Sequence, residues 1–203
     1  MSTAFIRLSP ARKLKLVVIY PGTGYGTQKY VLGRIEGILP ADPQKVLIAV
    51  ASSYGTPWAT VVQEVHDYAA QEGLDLKPSA LVGWSGGAQG IAGAVAAGHD
   101  FPKVLLADPS PVRKAFEGRD TRIWYNPENW KGSLAHLGPK QVTYASPLGN
   151  KAILVSTDHN TILDEVVGTA VKEARPTLTP ALMVGVPATL LIVAFFFRRG
   201  RGR

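Results

Sequence analysis

The sequence predicts an α/β fold, with a mostly parallel central sheet and helices on both faces. Three observations carry that reading. Short, nearly continuous apolar runs of strand length recur along the chain, and stretches of helical composition separate them. The most sharply bounded run, "SALVGWS", ends in a glycine-rich turn at Gly83-Trp84-Ser85-Gly86-Gly87 and passes directly into small residues suited to a helix. Strands covered by crossover helices on both faces have no solvated side, so they read as unbroken rather than alternating apolar runs.

The first run is "KLKLVVIY", followed by the glycine-rich "PGTGYG". Next comes "KVLIAVASSYG", leading into a helix over "PWATVVQEVHDYAAQEG". "SALVGWS" precedes a small-residue helix around "AQGIAGAVAAG", and "KVLLADPSP" follows it. The runs "TRIWYN" and "KAILVSTDH" complete the set, the latter opening into a helix over "TILDEVVGTAVKEA". In open parallel sheets, ligands and chemistry gather at the carboxyl ends of the strands. That rule selects the loops after Tyr20, Ser53, Trp84, Ala107, Tyr125 and Ser156.

At 203 residues and 46% hydrophobic content, the chain is long enough to bury a substantial core. It contains no cysteine, which excludes disulfides, thiol chemistry and thiolate metal sites. The formal net charge is +7, but four arginines sit in the terminal "RRGRGR"; without them, 18 basic residues face 15 acidic ones. A basic balance made by a tail gives no reason to expect a nucleic-acid partner, and no recognition motif accompanies it.

Near the amino end, "LKLVVIY" has the length of a buried strand rather than of a secretory signal. The carboxyl end differs: "LTPALMVGVPATLLIVAFFF", residues 178–197, runs 20 residues without a charge. As a helix it would reach about 30 Å, the thickness of a bilayer's hydrocarbon core. A surface helix would show a polar face, and this segment has none. The expectation is a folded domain over 1–175 and a single transmembrane anchor with a basic tail over 176–203. The tail arginines favour a cytoplasmic carboxyl end, whereas the absence of a signal favours a domain folded in the cytosol, so the side of the membrane stays open. Oligomeric state is not encoded.

A serine hydroxyl becomes a nucleophile only when a base takes its proton and donors receive the charge that develops on the attacked carbonyl. A strand-turn-helix of pattern G-x-S-x-G meets the geometric half of that demand by holding the serine in a strained turn above the sheet. Gly83, Ser85 and Gly87 fill the pattern, which makes Ser85 the candidate nucleophile. Of the four histidines, His66 lies in a helical stretch, His99 just past the small-residue helix and His136 in the irregular "GSLAHLGPK". His159 alone stands late in the chain at the end of an apolar run, where the base belongs. Asp108, ending "KVLLADPSP", is the first candidate for the acid. Glu128 in "TRIWYNPENW" is the second, and Asp158 shapes the turn before His159.

The oxyanion should be received by the backbone N–H of Gly86 and by one from "YPGTG", with Thr23 the favoured donor. That loop completes neither G-x-x-x-x-G-K-[ST] nor G-x-G-x-x-G, because position 27 is threonine. No cofactor and no metal are therefore expected.

On "YPGTG", "GWSGG", the aspartate of "LLADPS" and the histidine of "STDHNTI", the chain resembles the α/β-hydrolase superfamily from about Lys13 to Ala174. The resemblance implies an eight-stranded core, a Ser-His-acid triad and hydrolysis of an ester, thioester or amide, with a small-molecule or lipid acyl substrate. The chain departs from it in three respects: it is small, it has little room for a lid, and it carries Asn126 where many relatives carry the acid. A non-catalytic, membrane-anchored interaction protein on the same fold is the competing expectation.

Overall fold

The computed structural model describes residues 2–24, 26–39, 45–111 and 120–174. The segment 178–197, read above as a membrane anchor, lies outside the described residues, as does the proposed boundary at 175–176. Among the described residues, no helix is long and apolar enough to cross a membrane.

Seven strands form one sheet: β1 (Ala4–Arg7), β2 (Lys13–Tyr20), β3 (Val46–Val50), β4 (Asp75–Trp84), β5 (Lys103–Ala107), β6 (Asp120–Tyr125) and β7 (Ala152–Leu154), in the spatial order β1-β3-β2-β4-β5-β6-β7. The edge strand β1 runs antiparallel to β3 and every other pairing is parallel. The sheet thus has seven described strands where the resemblance implied eight. Neither β1 nor α1 (Thr27–Ile38) was expected from the sequence. β1 is four residues long, and α1 carries two glycines and buries only Val31 and Ile35, so neither has a strong periodic signal.

The core is split by the sheet into two layers. Val17, Ile19, Val46, Ile48, Leu105 and Ala107 face α1 and α5 (His159–Glu173). Their alternating neighbours, Leu16, Val18, Leu47 and Leu106 among them, face α2 (Trp58–Glu72) and α3 (Gly87–Ala96). Period-two alternation with both sides apolar is why the strands read as continuous runs. The helices are bounded by local chemistry. Gly73 ends α2 in a left-handed conformation, its N–H turned to Ala69 and Ala70 carbonyls. Asp158 caps α5, accepting from the N–H groups of Asn160 and Thr161.

The chain goes from β2 through α1 to β3 on one side, then crosses back through α2 to β4 on the other. The carboxyl ends of β2 and β4 therefore meet at the point where the strand order reverses, the usual place for a site in such sheets. The segment between β6 and β7 is the largest departure from the expected elements. Residues 126–151 form three short 3-10 turns and the helix α4 (Leu137–Ala145), which pack over the β6 end.

Candidate active site

Ser85 follows β4 directly and has φ 52°, and Asp108 follows β5 with φ 41°; among the described residues they are the only non-glycine residues with positive φ. Left-handed backbone of this kind costs on the order of 1–3 kcal/mol per residue and persists only where neighbours over-determine it. Here they do. Ser85 N–H donates to the Ala107 carbonyl at 3.0 Å, and the Ser85 carbonyl accepts from Ser110 N–H at 3.0 Å and Ala88 N–H at 3.3 Å. Asp108 N–H donates to the Trp124 carbonyl at 2.7 Å.

The glycines around Ser85 are required by space. A Cβ on Gly87 would lie 2.2 Å from the Tyr20 carbonyl oxygen, and one on Gly83 would meet Ile91 Cγ1 at 2.9 Å and the Ala88 nitrogen at 3.1 Å. Backbone cannot yield to such contacts as a side chain might. A Cβ on Gly86 would sit 3.2 Å from the Thr23 nitrogen and 2.3 Å from Thr23 Cγ2, so the Thr23 and Gly86 backbones run side by side next to Ser85. Neither of their N–H groups donates to another described residue.

His159 opens α5, and its Nδ1 lies 2.6 Å from Asp108 Oδ2. Asp108 is fully buried. Its Oδ1 accepts from Gln141 Nε2 at 2.7 Å and Asn126 N–H at 3.2 Å, and its Oδ2 also accepts from Asn129 Nδ2 at 3.0 Å. Burial alone would push this carboxyl up, but the hydrogen bonds from His159, Gln141, Asn129 and the Asn126 backbone outweigh it and hold the group below the ordinary carboxylate range. Asp108 is thus an ionised acceptor, and the shared proton resides on His159 Nδ1.

Two indoles frame the imidazole. The Trp84 ring centroid is 5.0 Å from that of His159, and Trp84 Nε1 donates to the His159 carbonyl at 3.1 Å. Trp130 meets the ring edge-on at 5.9 Å. Among the described residues no hydrogen bond joins Ser85 Oγ to His159.

The structure brings Ser85, Gly86 and Thr23 together at the β2 and β4 ends, and Asp108 together with His159 beside them. Glu128 is exposed, and its backbone N–H donates to Asn126 Oδ1; among the described residues no hydrogen bond or ion pair joins it to His159. Asn126, at the position where an acid was sought, holds Asp108 through its backbone and donates its side chain to the Thr157 carbonyl at 3.0 Å. Asn129 and Gln141 escaped the sequence reading, because nothing local marks an amide that will meet a carboxylate from a different strand. Trp58 lies elsewhere, beside Phe101 in a cavity of about 370 Å³ between α2 and the sheet. That cavity is lined from the starts of β2 and β4, the end of the sheet opposite Ser85.

The sheet order, the strained serine turn and the helix that follows it define an α/β-hydrolase-like fold. Among solved structures, the siderophore hydrolase EstB from Aspergillus nidulans shares it with a TM-score of 0.55 at 10% identity, over 81% of this chain and 83% of that one. MPT51 (FbpC1) of Mycobacterium tuberculosis aligns at 0.53 and 13% identity, covering 85% and 93%. LpqC, a poly(3-hydroxybutyrate) depolymerase from Bordetella parapertussis, aligns at 0.51 and 14% identity, covering 82% of each chain. No family model and no curated protein matches the sequence. These likenesses are of fold.

Proposed function

We propose that the protein is a membrane-anchored serine hydrolase that cleaves an ester, thioester or amide through an acyl-enzyme. The 2.6 Å contact between His159 Nδ1 and the buried Asp108 carboxylate, next to the Ser85 turn, is the observation that carries the reading. With Nδ1 protonated toward Asp108, the Nε2 lone pair is free to accept a proton. Ser85 Oγ attacks the acyl carbon and its proton passes to His159 Nε2. The tetrahedral oxyanion accepts from the N–H groups of Thr23 and Gly86. The imidazolium then protonates the leaving group, and water, deprotonated by the same nitrogen, releases the acid and restores Ser85. Asp108 stays ionised throughout and stabilises the imidazolium.

Residues 1–175 form the catalytic domain in this reading, and 178–197 anchor it in a bilayer. The anchor rests on the charge-free length of that segment. A second reading, a non-catalytic interaction protein on the same fold, draws on the missing hydrogen bond between Ser85 Oγ and His159, although such contacts are often loose without substrate. Labelling with a fluorophosphonate probe separates the two. Covalent labelling that disappears in Ser85→Ala and falls sharply in His159→Ala supports the hydrolase. A folded wild-type protein that takes no label supports the second reading.

A further inference from the structure

Basic side chains collect at the starts of the parallel strands, on one face of the sheet. Lys15 is the register partner of Val46, which faces the core layer under α1 and α5, so Lys15 and Lys13 share that face. Lys77 stands beside Lys15 on β4. Lys103 and Arg122 precede Leu105 and Trp124 of the same layer by two residues, which turns them the same way. Five cationic groups thus line four adjacent strands, with Lys13 and Lys77 exposed and the others half-buried.

The acidic groups nearby do not cancel the row. Glu173 is shared between Lys103 and Arg122 at 2.6–2.7 Å, and Asp120 pairs with Lys151 at 3.3 Å. Asp75, the register partner of Lys13, is exposed on the same face and offsets one cation, leaving the row with an excess of positive charge; Asp100 lines the cavity on the other face.

The chain leaves the domain at this same end. Helix α5 covers the basic face, and its last residue is the Glu173 that Lys103 and Arg122 hold. From Ala174 to Leu178, where the charge-free segment begins, four peptide units reach at most about 14 Å. His159 lies at the other end of the 15-residue α5, about 21 Å away.

We propose that the strand starts rest on an anionic lipid surface, directing the Ser85 end toward water, so that the substrate is a water-soluble acyl compound rather than a lipid of the same bilayer. This rests on the reading of 178–197 as an anchor. About 5–7 Å of that reach crosses the headgroup region, so the tether lets the ammonium groups come within about a Debye length of the headgroup surface, where each cation contributes to attraction toward acidic lipid. His159 then stands about 21 Å above the strand starts, so a lipid would have to leave the bilayer to meet it.

The test uses the full chain reconstituted into vesicles of phosphatidylcholine, or of equal parts phosphatidylcholine and phosphatidylserine. Flotation reports anchoring, and lysine acetylation followed by mass spectrometry reports which face meets lipid. Lys13 and Lys77 should react roughly five-fold more slowly in the phosphatidylserine vesicles, with high salt removing the difference. Lys29 in the first turn of α1 and Lys140 beside Gln141, both at the Ser85 end, should react alike in the two. A protein that floats with every lysine equally reactive in both vesicles overturns the inference and leaves the anchor standing. Slowing of Lys29 or Lys140 instead overturns the orientation. Failure to float overturns the anchor, and this inference with it.

Discussion

Asp108 Oδ2 and His159 Nδ1 are 2.6 Å apart, although 51 residues separate them in the chain. The carboxylate arrives from the end of β5, one strand nearer to Ser85 than the β6 corner. Asn126 at that corner serves as a donor to it instead of replacing it. Four donors on a fully buried carboxylate leave it no freedom to rotate away from the imidazole.

Asp108→Asn tests that arrangement. An amide cannot accept from Gln141, Asn129, Asn126 and His159 together, and its own N–H₂ would face at least one of them. Turnover should fall by about 10,000-fold as the imidazole loses its tautomer. Stability should fall by about 1–3 kcal/mol, read from denaturant unfolding. A variant with unchanged kcat would remove Asp108 from the mechanism.

Gly86→Ala probes the proposed oxyanion donors. Its Cβ would overlap Thr23 Cγ2 at 2.3 Å and press on the Thr23 nitrogen. The expected loss is about 100-fold in kcat with little change in KM. Adding Thr23→Ala removes the overlapping methyl and should restore part of the loss; a double variant no better than the single one would show that the loss does not come from overlap with the Thr23 methyl.

Among the described residues, Gln141 hydrogen-bonds at the site to Asp108 and the Pro109 carbonyl, at 2.7 and 3.0 Å. In Gln141→Leu the carboxyl loses a donor and rises. A carboxyl depressed in the folded state stabilises the protein fully above its unfolded value, and that contribution is lost as pH falls through the folded value. The variant should therefore be less stable than wild type by about 1.5–3 kcal/mol at neutral pH. The gap should narrow in acid, once Asp108 protonates in both proteins. A gap independent of pH would assign the loss to packing.

Glu173 obeys the same sign at the other end of the domain. The Arg122 hydrogen bond above all, with burial opposing and Lys103 assisting, holds its carboxyl at about 2 against an ordinary 4.5. Glu173→Gln should cost on the order of 1 kcal/mol at pH 7, the groups being partly exposed. Thermal melts should converge between pH 4.5 and 2 as the wild-type carboxylate is neutralised. Parallel melting curves across that range would show that the ion pairs contribute nothing.

The sequence by itself determined the alternation of buried strands and helices, the turn around Ser85 and the end of an apolar run at His159. Each depends on residues adjacent in the chain: a continuous apolar run, glycines at a fixed spacing, a cap before a helix. The steric need for Gly83 and Gly87 belongs with these, since the pattern that reveals the turn is also what the turn demands. Tertiary structure decided which carboxylate meets the imidazole: Asp108 and Glu128 stand on successive loops, and the sequence ranks Asp108 ahead of Glu128 without excluding either until the strands are placed side by side. It also decided that Asn129, Trp130 and Gln141, from the segment between β6 and β7, enclose that pair. Hydrogen bonds of this kind join groups from different loops, and their partners are chosen by the packing of the sheet, which no local pattern records.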